Sequence, residues 1–307
     1  MRKTLLLLPL AFACAAAPQA RGQVFKPSET GRPAAARAAL DEQVRAEAAR
    51  FRGRVSLFAK NLDTGAEYSF GGDDRVRTAS TIKVAVMVEA FARVAEGRAK
   101  WADELVLTKE KKVGGSGILP ELSDGLRLSL RDAVSLMMIL SDNTATNMVL
   151  DLLTADAVNA RMESLGLKQT RLMRKVFGGG ESAEGKLEAG KRFGLGRTTP
   201  REMVALMEKL ERGEVVGPAA SKEMLELMKR EQERSGIWRA LWQVPRATKS
   251  GALDALRANV GIIYHPRGRI ALAVTCDDSP AVEWTPDHPA FHTMSRLSEI
   301  LLYGLGE

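Results

Sequence analysis

Ser80 and Lys83 stand three residues apart in "RTASTIKVAVMVEAFARV", residues 77–94, at the start of a stretch with helical apolar spacing. That spacing puts a hydroxyl and an ammonium on one helix face. At a helix start, backbone N–H groups and the positive end of the dipole lie close by. A lysine with a lowered pKa can take the hydroxyl proton, which makes a serine nucleophile without histidine. The pair alone also reads as a helix cap and a snorkelling stem. From ordinary Ser and Lys frequencies, S-x-x-K arises by chance about once per 250 residues.

Two further groups carry polar chemistry. Ser141–Asp142–Asn143 interrupts a long helical pattern, and Lys249–Ser250–Gly251 ends a short strand pattern just before "NVGII". Taken singly, the first is a capping turn and the second a strand terminus. The histidines are His265, His288 and His292, all after the last of these groups, and nothing marks one as the partner of Ser80. A lysine-assisted serine is therefore the economical reading. Cys276 lies in an apolar strand pattern and reads as a buried thiol. No His/Cys cluster has metal-ligand spacing, so neither a metal nor a cofactor is expected.

The elements that must position these groups follow from hydropathy. "RVSLFAKNL" and "EYSFGG" alternate as two strands joined by "DTGA", and "RATKSG", "ANVGIIYHP" and "RIALAVTCD" supply three more late in the chain. Between them, residues 80–234 are mostly helical, with a start signal at Thr199–Pro200 and stop signals at Gly97 and Gly213. A helix closes the chain. The expected fold is α/β (α+β): one antiparallel sheet built from both chain ends, flanked by helices, plus an all-helical subdomain. The α/β part takes residues 38–79 and 235–307, and the helical part residues 80–234.

Arg2 and Lys3, a short apolar run and small residues form the layout of a secretory signal peptide over residues 1–20. An exported protein, periplasmic or secreted, is the expectation; lipidation at Cys14 is the lesser alternative, because Ala11 stands where a large aliphatic residue belongs. Residues 21–37 are Pro- and Ala-rich and read as a linker to a catalytic domain at 38–307. With 307 residues, 45% hydrophobic and 27% charged, the chain can bury a sizeable core. Its net charge of +7 is scattered, with "KEKK" at 109–112 the longest cluster, which argues against a nucleic-acid partner. No stable membrane span is expected, and a monomer is.

Taken together and in this order, S-x-x-K, S-D-N and K-S-G resemble the penicillin-recognising serine hydrolases, specifically the class A β-lactamase family. The resemblance extends over roughly residues 40–305, including "LSDNTATN" and "TTPREM". It implies a β-lactamase/transpeptidase-like fold and a small-molecule β-lactam or a cell-wall peptide as substrate. By the same resemblance Ser80 is acylated, Lys83 shares in proton transfer and Ser141 relays a proton to the leaving nitrogen. Asn143 holds the substrate amide. Lys249 and Ser250 bind its carboxylate, with Arg257 as a second anchor. The backbone N–H groups of Ser80 and Ala252 form the oxyanion hole.

The pattern breaks in one loop. Class A enzymes carry there an Arg, a Glu two residues on, and an Asn four residues past the Glu. Here Arg174 fits, the Glu position falls on Val176, and no Asn occurs between residues 160 and 258. Glu181, Glu184 and Glu188 follow in a Gly-rich stretch and are the candidates for the deacylation base, Glu188 foremost; a solvated loop is their plain reading. The functional expectation is a serine β-lactamase working through an acyl-enzyme on Ser80. The alternatives are a penicillin-binding, D,D-peptidase-like or esterase-like acyl hydrolase with slow deacylation, and an inert envelope-binding protein, against which the intact Ser80, Lys83, Ser141 and Lys249 argue.

Overall fold

A computed structural model of the protein describes residues 34–306. The expected signal peptide and most of the stretch read as a linker lie outside the described residues. Helix α1 (Ala34–Arg50) begins inside that stretch, earlier than the expected boundary at residue 38. Its first turns are Ala, Arg and Leu, which are among the strongest helix formers.

Five strands form one antiparallel sheet: β1 (Arg54–Asn61), β2 (Glu67–Phe70), β8 (Arg246–Leu253), β9 (Leu256–His265) and β10 (Gly268–Asp277), in the order β2-β1-β10-β9-β8. Both chain ends therefore build it, as expected. Along β10 the side chains alternate. Ile270, Leu272 and Val274 join α1 and α10 (Pro289–Leu305) in one core, while Ala271 and Ala273 face a second core in the helical block. With both faces covered, β10 reads as a continuous apolar run rather than an alternating one.

The helical block comprises α2 (Lys83–Ala95), α3 (Leu130–Ile139), α4 (Asn143–Leu153), α5 (Ala155–Ser164), the short α6 (Glu188–Lys191), α7 (Pro200–Glu211) and α8 (Pro218–Lys229); a four-residue α9 (Ile237–Ala240) precedes β8. The centre of the block is α2, in which every residue from Lys83 to Ala92 is buried. A helix apolar all round belongs inside a protein. Its buried Glu89 pairs with Arg93 and Arg161.

The remaining strands are two or three residues long, too short to show alternation in sequence: β3 (Val76–Arg77), β6 (Arg171–Leu172) and β7 (Gly196–Thr198) make one small sheet, β4 (Glu104–Val106) and β5 (Arg127–Ser129) another. The first matters for the site. Pairing of β3 with β7, continued by Thr78 N–H donating to Gly196 O at 2.9 Å, fixes the chain that enters the Ser80 turn. Among the described residues, no helix is long and apolar enough to cross a membrane.

Candidate active site

Ser80 does not open α2 directly. It lies in a 3-10 turn, Ala79–Ile82, and the regular helix starts at Lys83. Ala79 enters that turn at φ 45°, a left-handed conformation that an L-residue adopts at a cost of order 1–3 kcal/mol. The hydroxyl of Thr81 donates to Thr78 O at 2.8 Å and secures the turn. Strand β8 presses against it: a Cβ on Gly251 would stand 2.7 Å from Thr78 O and 3.0 Å from Ser80 N. Only a residue without a side chain lets Ser250–Gly251–Ala252 run this close to the Ser80 backbone.

Lys83 is fully buried, and its Nζ donates to Ser141 O at 2.7 Å, Ser141 Oγ at 3.2 Å and Asn143 Oδ1 at 2.9 Å. Burial pushes the Lys83 ammonium well below the usual lysine range, and the Lys249 charge pushes the same way, against the carboxylates of Asp142 and Glu231. Ser141 adopts φ 54°, a second left-handed residue at the site. Asn143 also donates through Nδ2 to Gly114 O at 3.0 Å.

Asp142, the middle residue of S-D-N, has a structural task. It caps α4 by accepting from Ala145 N at 2.8 Å, and its other oxygen accepts from Ile118 N and Leu119 N at 2.7 and 2.9 Å. The loop over residues 113–122 is thereby tied to the helix break. Gly117, at φ +113°, passes so close that a Cβ there would sit 2.3 Å from the Asp142 carboxylate.

A model of the beta-lactamase enzyme family matches residues 39–304. The chain belongs to that family. Among curated relatives, beta-lactamase AER-1 of Aeromonas hydrophila is 25% identical over 232 residues, 74% of each chain. Among solved structures, a β-lactamase from Sphaerobacter thermophilus is 28% identical with TM-score 0.76, covering 88% of this chain and 97% of that one. PBP-A is 25% identical with TM-score 0.75, covering 86% and 95%. A point mutant of PBP-A with the same identity and TM-score, covering 87% and 96%, is described as an acyl-enzyme complex with penicillin G.

For a β-lactamase family member, the loop after β6 is the distinctive part. Its register, open in the sequence, is set by a residue that sequence reasoning did not single out. Asn147 accepts from Val176 N at 2.9 Å and donates to Val176 O at 3.1 Å. Asn147 lies four residues after Asn143 on α4, so both project from one face. Val176 packs against the helical core, and Phe177, at φ 63°, is 71% exposed.

The three loop glutamates are engaged elsewhere. Glu188, the favoured base, is 87% exposed and paired with Lys191 at 2.7 Å. Glu184 bonds Arg197 at 2.7 Å and approaches Arg171 at 3.6 Å. Glu181 accepts from Gly179 N at 3.2 Å. Among the described residues, no hydrogen bond or ion pair joins any of them to Ser80, Lys83, Ser141 or Asn143. The short helix α6 does hold Glu188 in a fixed place, but it turns the carboxylate to solvent.

Arg257 is likewise drawn inward. It is buried, with Nη1 donating to Leu253 O and, at 2.8 Å, to Leu256 O, and Nη2 donating to Glu283 O at 2.6 Å. Its guanidinium stacks on Trp284, 4.8 Å from the ring centroid. It braces the β8–β9 hairpin instead of offering a free fork to a substrate carboxylate.

Lys249 and Ser250 stand together on β8 as expected, but with a partner that nothing in the sequence flagged. Glu231, just past α8, is buried and takes Lys249 Nζ at 2.9 Å, Ser250 N at 2.6 Å, Ser250 Oγ at 2.7 Å and Thr248 Oγ1 at 2.8 Å. Burial would push its carboxyl up; the Lys249 charge and the donors from Lys249 and Ser250 outweigh this and hold it below the usual range. In sequence Glu231 is one more acid at the polar end of "SKEMLELMKRE". The histidines stay outside the site: His288 caps α10 by accepting from Ala290 N at 3.1 Å, and His265 accepts from Arg267 N at 3.1 Å. Among the described residues, no group of three His, Cys, Asp or Glu side chains could hold a metal ion.

Proposed function

We propose that the protein is a serine β-lactamase that opens β-lactam rings through an acyl-enzyme on Ser80. The observation that carries this is Lys83: a buried lysine with a depressed pKa, one turn after Ser80, bonded to Ser141 Oγ and Asn143 Oδ1. Uncharged, its nitrogen gives up one of its three donated bonds and offers the freed lone pair to the Ser80 proton. Ser80 Oγ attacks the lactam carbonyl, the C–N bond breaks, and Ser141 passes a proton to the departing nitrogen. The negative oxygen of the intermediate faces the N–H groups of Ser80 and Ala252, donors of a kind that contribute about 3–4 kcal/mol. Asn143 holds the side-chain amide of the substrate. Residues 1–20 direct export, so the enzyme meets its substrate outside the cytoplasm.

One observation favours a second reading. Val176, clamped by Asn147, occupies the position at which the class A pattern has its deacylating Glu, and a valine cannot take a proton from water. This supports a penicillin-binding, D,D-peptidase-like enzyme that acylates and releases slowly. The PBP-A mutant with penicillin G attached is consistent with acylation on this fold. The test is to mix the purified protein with a chromogenic cephalosporin and follow hydrolysis and intact mass together. Sustained turnover supports the β-lactamase; a stable adduct on Ser80 with little turnover supports the second reading; neither turnover nor adduct contradicts both.

A further inference from the structure

A carboxylate of the protein already sits where a substrate carboxylate would be expected. Glu231 Oε1 receives three donors at once: the Lys249 ammonium, the Ser250 hydroxyl and the Ser250 backbone N–H, at 2.9, 2.7 and 2.6 Å. Lys249 and Glu231 are both buried, so the pair is shielded from solvent, and its charges cancel locally. The remaining Lys249 bond, at 3.0 Å, goes to Ser250 O. A hydroxyl has one proton to give, and that of Ser250 is directed at Glu231. Ser250 itself is partly exposed, so it is the member of this group that a ligand can reach.

We infer that Glu231 sets substrate specificity by occupying the Lys249–Ser250 anion hook, so that the site does not select for acyl donors bearing a carboxylate and accepts neutral esters and amides on comparable terms. This rests on the proposed acyl-enzyme reading of the site and on the carboxylate-binding role that the class A resemblance implies for Lys249 and Ser250. An incoming carboxylate meets a hydroxyl already committed and an ammonium already neutralised. To be bound it must turn the Ser250 proton away from Glu231 and sit beside a second carboxylate, and that repulsion is absent for a neutral substrate.

The test compares a cephalosporin free acid with its methyl ester on the full chain and on Glu231→Gln. The amide keeps an acceptor for the Ser250 N–H and for Lys249 while removing the charge. Glu231→Asp, which shortens the side chain by one methylene, is a second variant, expected to change in the same direction by less. Two quantities are read: the rate of Ser80 acylation, and equilibrium binding of both compounds in the Ser80→Ala background. The natural protein should show acid and ester within a few-fold of each other. Glu231→Gln should raise the acid-to-ester ratio roughly 10- to 100-fold, the scale of one charge-assisted hydrogen bond. An unchanged or lower ratio, with acylation intact, overturns the inference and leaves the acyl-enzyme reading standing. A raised binding ratio without acylation does the reverse. A natural protein that already prefers the acid 100-fold overturns the inference outright.

Discussion

The side chain of Asn147 holds both backbone polar groups of Val176, accepting from its N–H at 2.9 Å and donating to its carbonyl at 3.1 Å. This clamp joins α4, which carries Asn143, to the loop in which the class A pattern is broken. Asn147→Ala should leave the Val176 N–H and C=O without those partners. A loss of about 1–3 kcal/mol is expected, the usual cost of a partly buried group left unpaired, measured by urea unfolding. A stability within 0.5 kcal/mol of the parent, on the scale of about that size typical of neutral surface changes, would contradict the clamp.

The same relationship predicts a gain. Val176→Glu should put a carboxylate at the position fixed by Asn147, in surroundings apolar enough to raise its pKa towards the range of a general base. If the parent releases its acyl group slowly, this variant should release it about 10²–10⁴-fold faster, followed by the decay of the adduct mass. Unaltered decay would show that the missing carboxylate is not what limits release.

Glu181, Glu184 and Glu188 should each be replaceable by Gln with steady-state hydrolysis within a few-fold of the parent, because each carboxylate is engaged away from the Ser80–Lys83 group. A 10²-fold or larger loss in any one, with acylation unaffected, would restore that residue as the base.

The depressed pKa of Lys83 fixes a pH dependence. With Lys83 as the proposed base, acylation would need the uncharged amine, so its rate should rise with pH through the lowered Lys83 pKa and level off below the ordinary lysine range. The neighbouring charges are Lys249, which lowers this pKa, and Asp142 and Glu231, which raise it. In Lys249→Met/Glu231→Gln the larger, lowering influence is gone, so the limb should move to higher pH. The sign for stability follows. The unfolded chain binds a proton that the folded Lys83 resists, so this group's contribution to stability grows as pH rises towards the unfolded lysine range. A pH–rate profile with no limb below that range would contradict Lys83 as the base.

Lys249 and Glu231 should prove interdependent. Lys249→Ala alone leaves a buried carboxylate uncompensated and should cost about 3–5 kcal/mol, whereas Lys249→Met/Glu231→Leu should recover most of it. Additive losses in a double-mutant cycle would show that the two side chains do not act as a pair.

Much of this was legible in the sequence. The five-stranded sheet followed from two alternating strands early in the chain, apolar strand patterns late in it and the turn residues between them, and the structure brings together Lys83 and Ser141, two residues from separate motifs that the sequence singled out. What was not legible depends on contacts between distant segments. Glu231 meets Lys249 across 18 residues and Asn147 meets Val176 across 29, and neither spacing carries a local signature. Arg257 has the residue type of a substrate anchor, but the hairpin carbonyls and Trp284 claim its guanidinium, which only the folded hairpin reveals. Strands of two residues, such as β3, are too short for any periodicity.

The most direct test of the account is intact-mass spectrometry of the parent and Ser80→Ala after exposure to penicillin G. The parent is predicted to gain the mass of one penicillin, either persistently or as an intermediate trapped by rapid acid quenching, with the label located on the peptide containing Ser80. Ser80→Ala, with an unchanged thermal transition, is predicted to gain none. Labelling of Ser80→Ala, or the absence of any adduct or hydrolysis with the parent, would contradict the claim that Ser80 is the acylated nucleophile.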